Sequence, residues 1–320
     1  MTTQIDLARQ QHRIRLDQPL IDVAVARHFE ELSGDVYQVA QALILCGLPY
    51  EPTLKSKITR KAMLADGSRV AVTFSTALEG SMPYGSDRCL LHFLLDKAVK
   101  TKSRFVSWET AAEFLSAMRM APGGKNRRDL RKRFSRIRGL TIGVERSGVR
   151  GTETEIMPII RRSHLPASLD RRIELDGQGK LFAGEEVNYG VEIDELFYSE
   201  LMRHHVPIPE ELIYSTRRQS QLQDLMLFLC WRCFAAQSES LIPWEYLRQQ
   251  LWQDDSNQQR IKGRFASAIR LLKTIWPELQ ADARSKGLWV APPRNRVYIT
   301  SQAGARRRLP QTANANPIAI

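Results

Sequence analysis

Between Lys125 and Arg138 the chain reads KNRRDLRKRFSRIR, and between Gln258 and Lys273 it reads QQRIKGRFASAIRLLK. Guanidinium and ammonium groups at this density suit one kind of chemistry. They make charge-assisted hydrogen bonds to phosphate oxygens, and Arg can donate twice to guanine while Gln can pair with adenine. Helical residues advance by about 100° each, so both segments can be divided into faces. In the first, Leu130, Phe134 and Ile137 share an apolar stripe, and Arg128, Arg131, Lys132, Ser135 and Arg138 lie opposite. In the second, Ile261, Phe265, Ala268, Leu272 and Ile275 share the stripe, with Gln259, Lys262, Ala266, Arg270 and Lys273 opposite. Asp129 is the only acid between Lys125 and Leu140, and none occurs from Asn257 to Ile275. The candidate DNA-binding residues are therefore Lys125, Arg127, Arg128, Arg131, Lys132 and Arg138 in the first helix, and Gln259, Lys262, Arg270 and Lys273 in the second. Gly263 and Ala266 allow close backbone approach, and the amides after Gly123-Gly124 can meet phosphate at a helix N-terminus.

A single cationic run is more often a solvated face than a binding surface. Here the context adds weight, because each basic helix follows a shorter helix and a polar turn. Other reactive groups make weaker patterns. Cys230 and Cys233 form a C-x-x-C inside LQDLMLFLCWRCFAA, where two small apolar residues in a buried helix are expected rather than half a zinc site. His204-His205 closes a helix, where a C-terminal dipole role fits. Tyr189, Tyr198 and Tyr214 lack a metal cluster nearby, and Gly123-Gly124-Lys125 has the wrong spacing for a phosphate loop. No catalytic, metal or cofactor residues are expected, and the chain reads as a protein without enzymatic activity.

The composition agrees with a polyanionic partner. The 320 residues carry a formal net charge of +12, and the sequence pI is near 9.8. Lys and Arg that neutralise phosphates release counterions, which favours binding. RNA would satisfy the same charge, although an aromatic sheet motif is missing. Hydrophobic content of 43% supports real cores. No apolar run reaches the roughly 20 residues of a membrane span, and the N-terminus lacks the apolar core of a signal peptide, so a cytoplasmic protein with no membrane partner is expected.

The elements that must position the basic helices imply an α+β fold, mainly helical, with two tandem winged-helix domains carrying short β-hairpin wings. Residues 1–80 read as a partly ordered N-terminal arm, with a helix at Val36–Cys46 and a hairpin turning at Asp66-Gly67. Residues 81–193 form the first winged-helix domain. It contains a helix from Ser86 or Asp87 to Lys100, a short strand at Arg104–Val106, and a helix Trp108–Met118 capped by Ser107. The basic helix follows, then a hairpin of Leu140–Glu145 and Glu153–Ile160. Strand-like pieces within Ile173–Ile193 extend its sheet or wing. Residues 194–293 form the second, with a long apolar helix over Gln219–Ala236, Trp244–Leu251 started by Pro243, the second basic helix, and a closing hairpin. Residues 294–320 read as a disordered basic tail.

Met82-Pro83-Tyr84-Gly85-Ser86-Asp87-Arg88, continued by LLHFLLDKAVKTKSR, resembles the opening block of the plasmid RepA replication-initiator family. FYSELMRHHVPIP, LQDLMLFLCWRCF, LIPWEYLRQQL and RFASAIRLLKTIWPEL resemble its later blocks, in the same order. The resemblance spans roughly Gly80 to Pro292. It implies an iteron-binding initiator of tandem winged-helix type, which binds double-stranded plasmid origin repeats, opens an AT-rich region and recruits the host replicative helicase and initiator proteins. It also implies a possible homodimer. A winged-helix transcriptional repressor, or an origin-nicking enzyme, are the alternatives.

Overall fold

The computed structural model describes residues 36–63, 69–77, 82–148, 151–164, 189–236, 238–252 and 257–293. These fall into two compact units. One is built from Leu48–Thr59 and Ala71–His205; the other from the chain up to Gly47, Arg60–Val70 and the chain from Val206 onward. The architecture is α+β, with helices packed on small antiparallel sheets.

The first unit carries α2 (Asp87–Thr101), β4 (Phe105–Trp108), α3 (Ala111–Ala117) and α4 (Gly124–Ile137), then β5 (Leu140–Gly148), β6 (Gly151–Pro158), β7 (Ile160–His164), β8 (Tyr189–Ile193) and α5 (Glu195–Arg203). The second carries β1 (Val36–Ala40), α1 (Gln41–Leu45), β9 (His205–Pro209), α6 (Glu210–Thr216) and α7 (Ser220–Ala235). It continues with β10 (Ser240–Pro243), α8 (Trp244–Leu251), α9 (Gln258–Ile275), β11 (Ala281–Ala283) and β12 (Gly287–Val290). By contacts α5 clusters with the first unit, whereas the sequence boundary at residue 194 assigns it to the second.

Several local expectations change in the structure. Val36–Cys46 is not one helix. Its first five residues form β1, which pairs with β9, and only Gln41–Leu45 is helical. Trp108 ends a strand rather than opening a helix, and Thr110 is the cap of α3. Its hydroxyl accepts from the Glu113 amide at 3.1 Å, and the Glu113 carboxylate reaches back to the Glu109 amide at 3.0 Å. This is a Thr-x-x-Glu capping pattern that satisfies two amides the helix cannot.

The hairpin β5–β6 forms with its expected strands, Gly148 opposite Gly151. The hairpin and β4 lie in different sheets. The hairpin extends a sheet ordered β2-β3-β5-β6, where β2 is Lys57–Met63 and β3 is Arg69–Thr76. The strand beside β4 is β8, in a sheet ordered β4-β8-β7. The second unit builds the same arrangement with β10-β12-β11. β4, between α2 and α3, and β10, between α7 and α8, each pair antiparallel with the last strand of their sheet.

The correspondence reaches individual residues. Trp108 ends β4 and Trp244 immediately follows β10. Ser107 faces Gly190 across the ladder, and Pro243 faces Gly287. A Cβ on Gly190 would stand 2.7 Å from the Val106 carbonyl, and one on Gly287 would strike the Ile242 carbonyl. Both glycines are thus required by close backbone approach at matching places. The turn at Asp66-Gly67, most of the middle segment and the tail lie outside the described residues.

Candidate nucleic-acid interface

Each basic helix is anchored through one phenylalanine in an aromatic cluster. Phe134 of α4 is 2% exposed and stacks on Trp108 at 5.5 Å, with Phe114 also at 5.5 Å. Phe265 of α9 is fully buried and meets Trp244 at 5.7 Å, Trp252 at 5.8 Å and Phe228 at 6.2 Å. Leu130 and Ile137 flank Phe134 on the core side, and Ile261, Ala268 and Leu272 flank Phe265; all are buried. The side chain of Ile275 lies outside the description. Burying aromatic rings of this size sets broadly, though not to the last tens of degrees, which side of each helix is left to solvent.

On α4 that side presents Lys125, Arg128, Arg131, Lys132, Ser135 and the C-cap residue Arg138, all exposed. Among the described residues none of these five cations forms an ion pair. Arg127 is placed differently. It lies one turn before Leu130 and about two before Phe134, is half-buried, and its Nε is shielded from solvent. On α9, Gln259, Gly263, Ala266, Ser267, Arg270 and Lys273 are exposed and Lys262 is half-buried. Asn257 caps the helix, its side-chain oxygen accepting from the Arg260 amide at 3.0 Å. Exposed Arg284 and Lys286 lie between β11 and β12, at the tip of the closing hairpin that the sequence indicates without assigning these two cations a role.

The remaining arginines of α4 have internal partners. Arg136 makes a bidentate bridge to Asp87 at the start of α2, with Nε–Oδ2 at 2.6 Å and Nη2–Oδ1 at 2.8 Å. Its hydrogen bonds to Asp87 raise its pKa further, so the cation is permanent. Arg133 stands 3.9 Å from the same carboxylate and donates to the Ser86 carbonyl at 3.2 Å. On α9 the corresponding flank holds Arg264, whose guanidinium lies 5.6 Å over the Trp252 ring.

The residues considered for other chemistry are engaged structurally. Cys230 and Cys233 are buried in α7, and burial pushes the Cys233 thiol far above its usual pKa, away from the thiolate that metal binding requires. The Cys233 thiol donates to the Gln280 carbonyl at 3.7 Å. His204 is the C-cap of α5, and the His205 ring meets the Leu201 carbonyl at 3.0 Å. Among the described residues no cluster of three or more His, Cys, Asp or Glu is arranged to hold a metal, and no helix is long and apolar enough to cross a membrane.

Neither a protein-family model nor a curated protein matches the sequence. Solved structures align with the chain's fold at low similarity. The crystal structure of domains 2 and 3 of RctB aligns at a TM-score of 0.41 and 13% identity, over 77% of this chain and 85% of that one. A selenomethionine structure of domains 2 and 3 of RctB aligns at 0.44 and 14%, over 72% and 80%. The similarity concerns the path of the chain.

Proposed function

We propose that this chain is a sequence-specific, double-stranded DNA-binding protein that acts as a replication initiator. It uses two tandem winged-helix units and has no catalytic activity of its own. The observation that carries the reading is the doubled arrangement of helix, short strand, helix, cationic helix and antiparallel strands. In each copy the cationic helix turns its charged side outward. A helix entering the major groove needs an exposed face free of acids and bulky apolar groups, and both α4 and α9 meet that condition. The dense arginine face of α4 suits strong anchoring to phosphate together with guanine contact, whereas Gln259, Gly263 and Ala266 suit α9 to closer base contact.

The finer role rests on the PYGSDR block and the blocks after it, which resemble plasmid RepA initiators. On that reading the DNA is a set of origin repeats and the partners are the host helicase and initiator proteins, with a homodimer as a second assembly. A plasmid whose only origin is the DNA flanking this gene is expected to replicate only when the protein is supplied. Replication without the protein would refute the initiator role. Protein-dependent repression of the adjacent promoter without replication would favour a transcriptional regulator built on the same units.

A further inference from the structure

We propose that Asp87 is a positioning residue for DNA recognition: by holding Arg133 and Arg136 against the start of α2, it sets the roll of α4 that turns Arg128, Arg131, Lys132 and Arg138 outward. The proposal rests on the DNA-binding reading and adds to it the means by which one of the two faces is aimed.

The faces of α4 make the case. At 100° per residue, Arg133 and Arg136 lie on a flank between the Leu130–Phe134–Ile137 stripe and the outward stripe of Arg128, Arg131 and Lys132. An apolar stripe alone leaves a helix some freedom to roll, because hydrophobic contact is not directional. A planar bidentate guanidinium–carboxylate pair removes that freedom, since both partners must be coplanar. Asp87 is 2% exposed, and the Arg136 side chain is 17% exposed. The carboxylate is itself fixed. Its Oδ2 accepts from the Tyr84 amide at 3.1 Å, and Arg136 also lies 4.8 Å over the Tyr84 ring.

The rest of the PYGSDR block supports the same anchor. Arg88 is buried and donates from Nη2 to the Leu48 carbonyl at 2.8 Å and the Pro49 carbonyl at 3.1 Å. Its Nε donates to the Gly85 carbonyl at 2.9 Å, and its guanidinium lies 4.9 Å over the Tyr50 ring. Gly85 has a φ of +53°, and its amide donates to the Pro49 carbonyl at 2.9 Å. A buried acid adjoining a cationic helix is otherwise a poor choice for a protein that binds a polyanion. Its position is explained if it serves alignment rather than net charge.

Two hypotheses predict opposite signs. If Asp87 matters only through its charge, Asp87→Asn removes an acid and tightens binding to any DNA. If it positions α4, Asp87→Asn weakens binding to a cognate duplex. The full-length wild-type protein is first used to select a 30-bp duplex, a length of about three helical turns, from a random pool. Asp87→Asn and the charge-conserving Arg136→Lys are then titrated against that duplex and a scrambled one. Both variants are expected to lose about tenfold or more for the selected duplex, the size of one lost base contact, with undiminished binding to the scrambled duplex. Hydrogen exchange without DNA is expected to speed up across Leu130–Ile137 in both variants while α9 stays protected, which separates loss of aim from loss of fold. Unchanged or tighter binding of Asp87→Asn to the selected duplex, or unchanged exchange in α4, overturns the positioning role. Failure of the wild-type protein to select any duplex overturns the DNA-binding reading on which it stands.

Discussion

Arginine in and just after α4 divides into three populations that composition alone cannot separate. Arg128, Arg131 and Arg138 face solvent, Arg133 and Arg136 face Asp87, and Arg127 sits half-buried in line with Leu130. Arg127→Ala is therefore expected to cost less DNA affinity than Arg131→Ala in the same titration. Equal losses would place Arg127 on the outward face after all. Removing the carboxylate is a different matter. Asp87→Ala leaves two arginines without their partner and should lower folding stability by about 3 kcal/mol, measured by urea unfolding. The sequence revealed the outward face because charge and periodicity are local properties. It could not reveal the ion pair, whose partners lie 49 residues apart. Acid should weaken the fold through His92. Burial, with Arg88 adding, pushes its imidazole pKa down to about 3 from 6.5. Its contribution is full above pH 6.5 and is lost as the pH falls toward 3, because only the unfolded chain takes up the proton in that window. His92→Gln is expected to flatten the stability profile between these limits, and an unaltered slope would assign the acid sensitivity elsewhere.

Among the elements, the long helices were legible because a buried stripe repeats every three to four residues, and α4, α7, α8 and α9 lie within a residue or two of their expected limits. The strands were less so. Val36–Cys46 reads as one helix because so short an apolar run carries no signal specific to strand, and only the pairing of β1 with β9 decides its first half. The β5–β6 hairpin forms where expected, and β8, at the end of the Ile173–Ile193 segment expected to extend the sheet or wing, pairs with β4. Nothing in β4 names so distant a partner. One element does carry a local cost. Gly263 lies inside α9 on its outward face, and a Cβ there would meet nothing within 4 Å. Gly263→Ala should thus stabilise the free protein by up to about 1 kcal/mol. If DNA approaches that backbone closely, the same change should weaken cognate binding. A variant both more stable and equally tight would show that α9 keeps its distance.

At the scale of the whole molecule, two units that share the run of helix, short strand, helix, cationic helix and antiparallel strands, each with the cationic helix anchored by aromatic rings, argue for two contributions to one binding event. The outward cations of both helices should act on phosphates as well as bases, so log affinity should fall steeply with log salt, and each phosphate-contacting Lys removed should reduce the slope by about 1. Neither Arg131 nor Arg270 forms an ion pair among the described residues, so their losses should add to within about 0.5 kcal/mol. The most direct test is an equilibrium titration of a wild-type-selected duplex and its scrambled counterpart at one fixed salt concentration. It would compare the wild-type protein, Arg131→Ala, Arg270→Ala and the double variant. Each single variant should lose about 1–3 kcal/mol for the selected duplex, the double variant their sum, and discrimination should narrow with each. Wild-type affinity in both single variants, or no preference of the wild-type protein for the selected duplex, would contradict the assignment of α4 and α9 as the helices that read DNA.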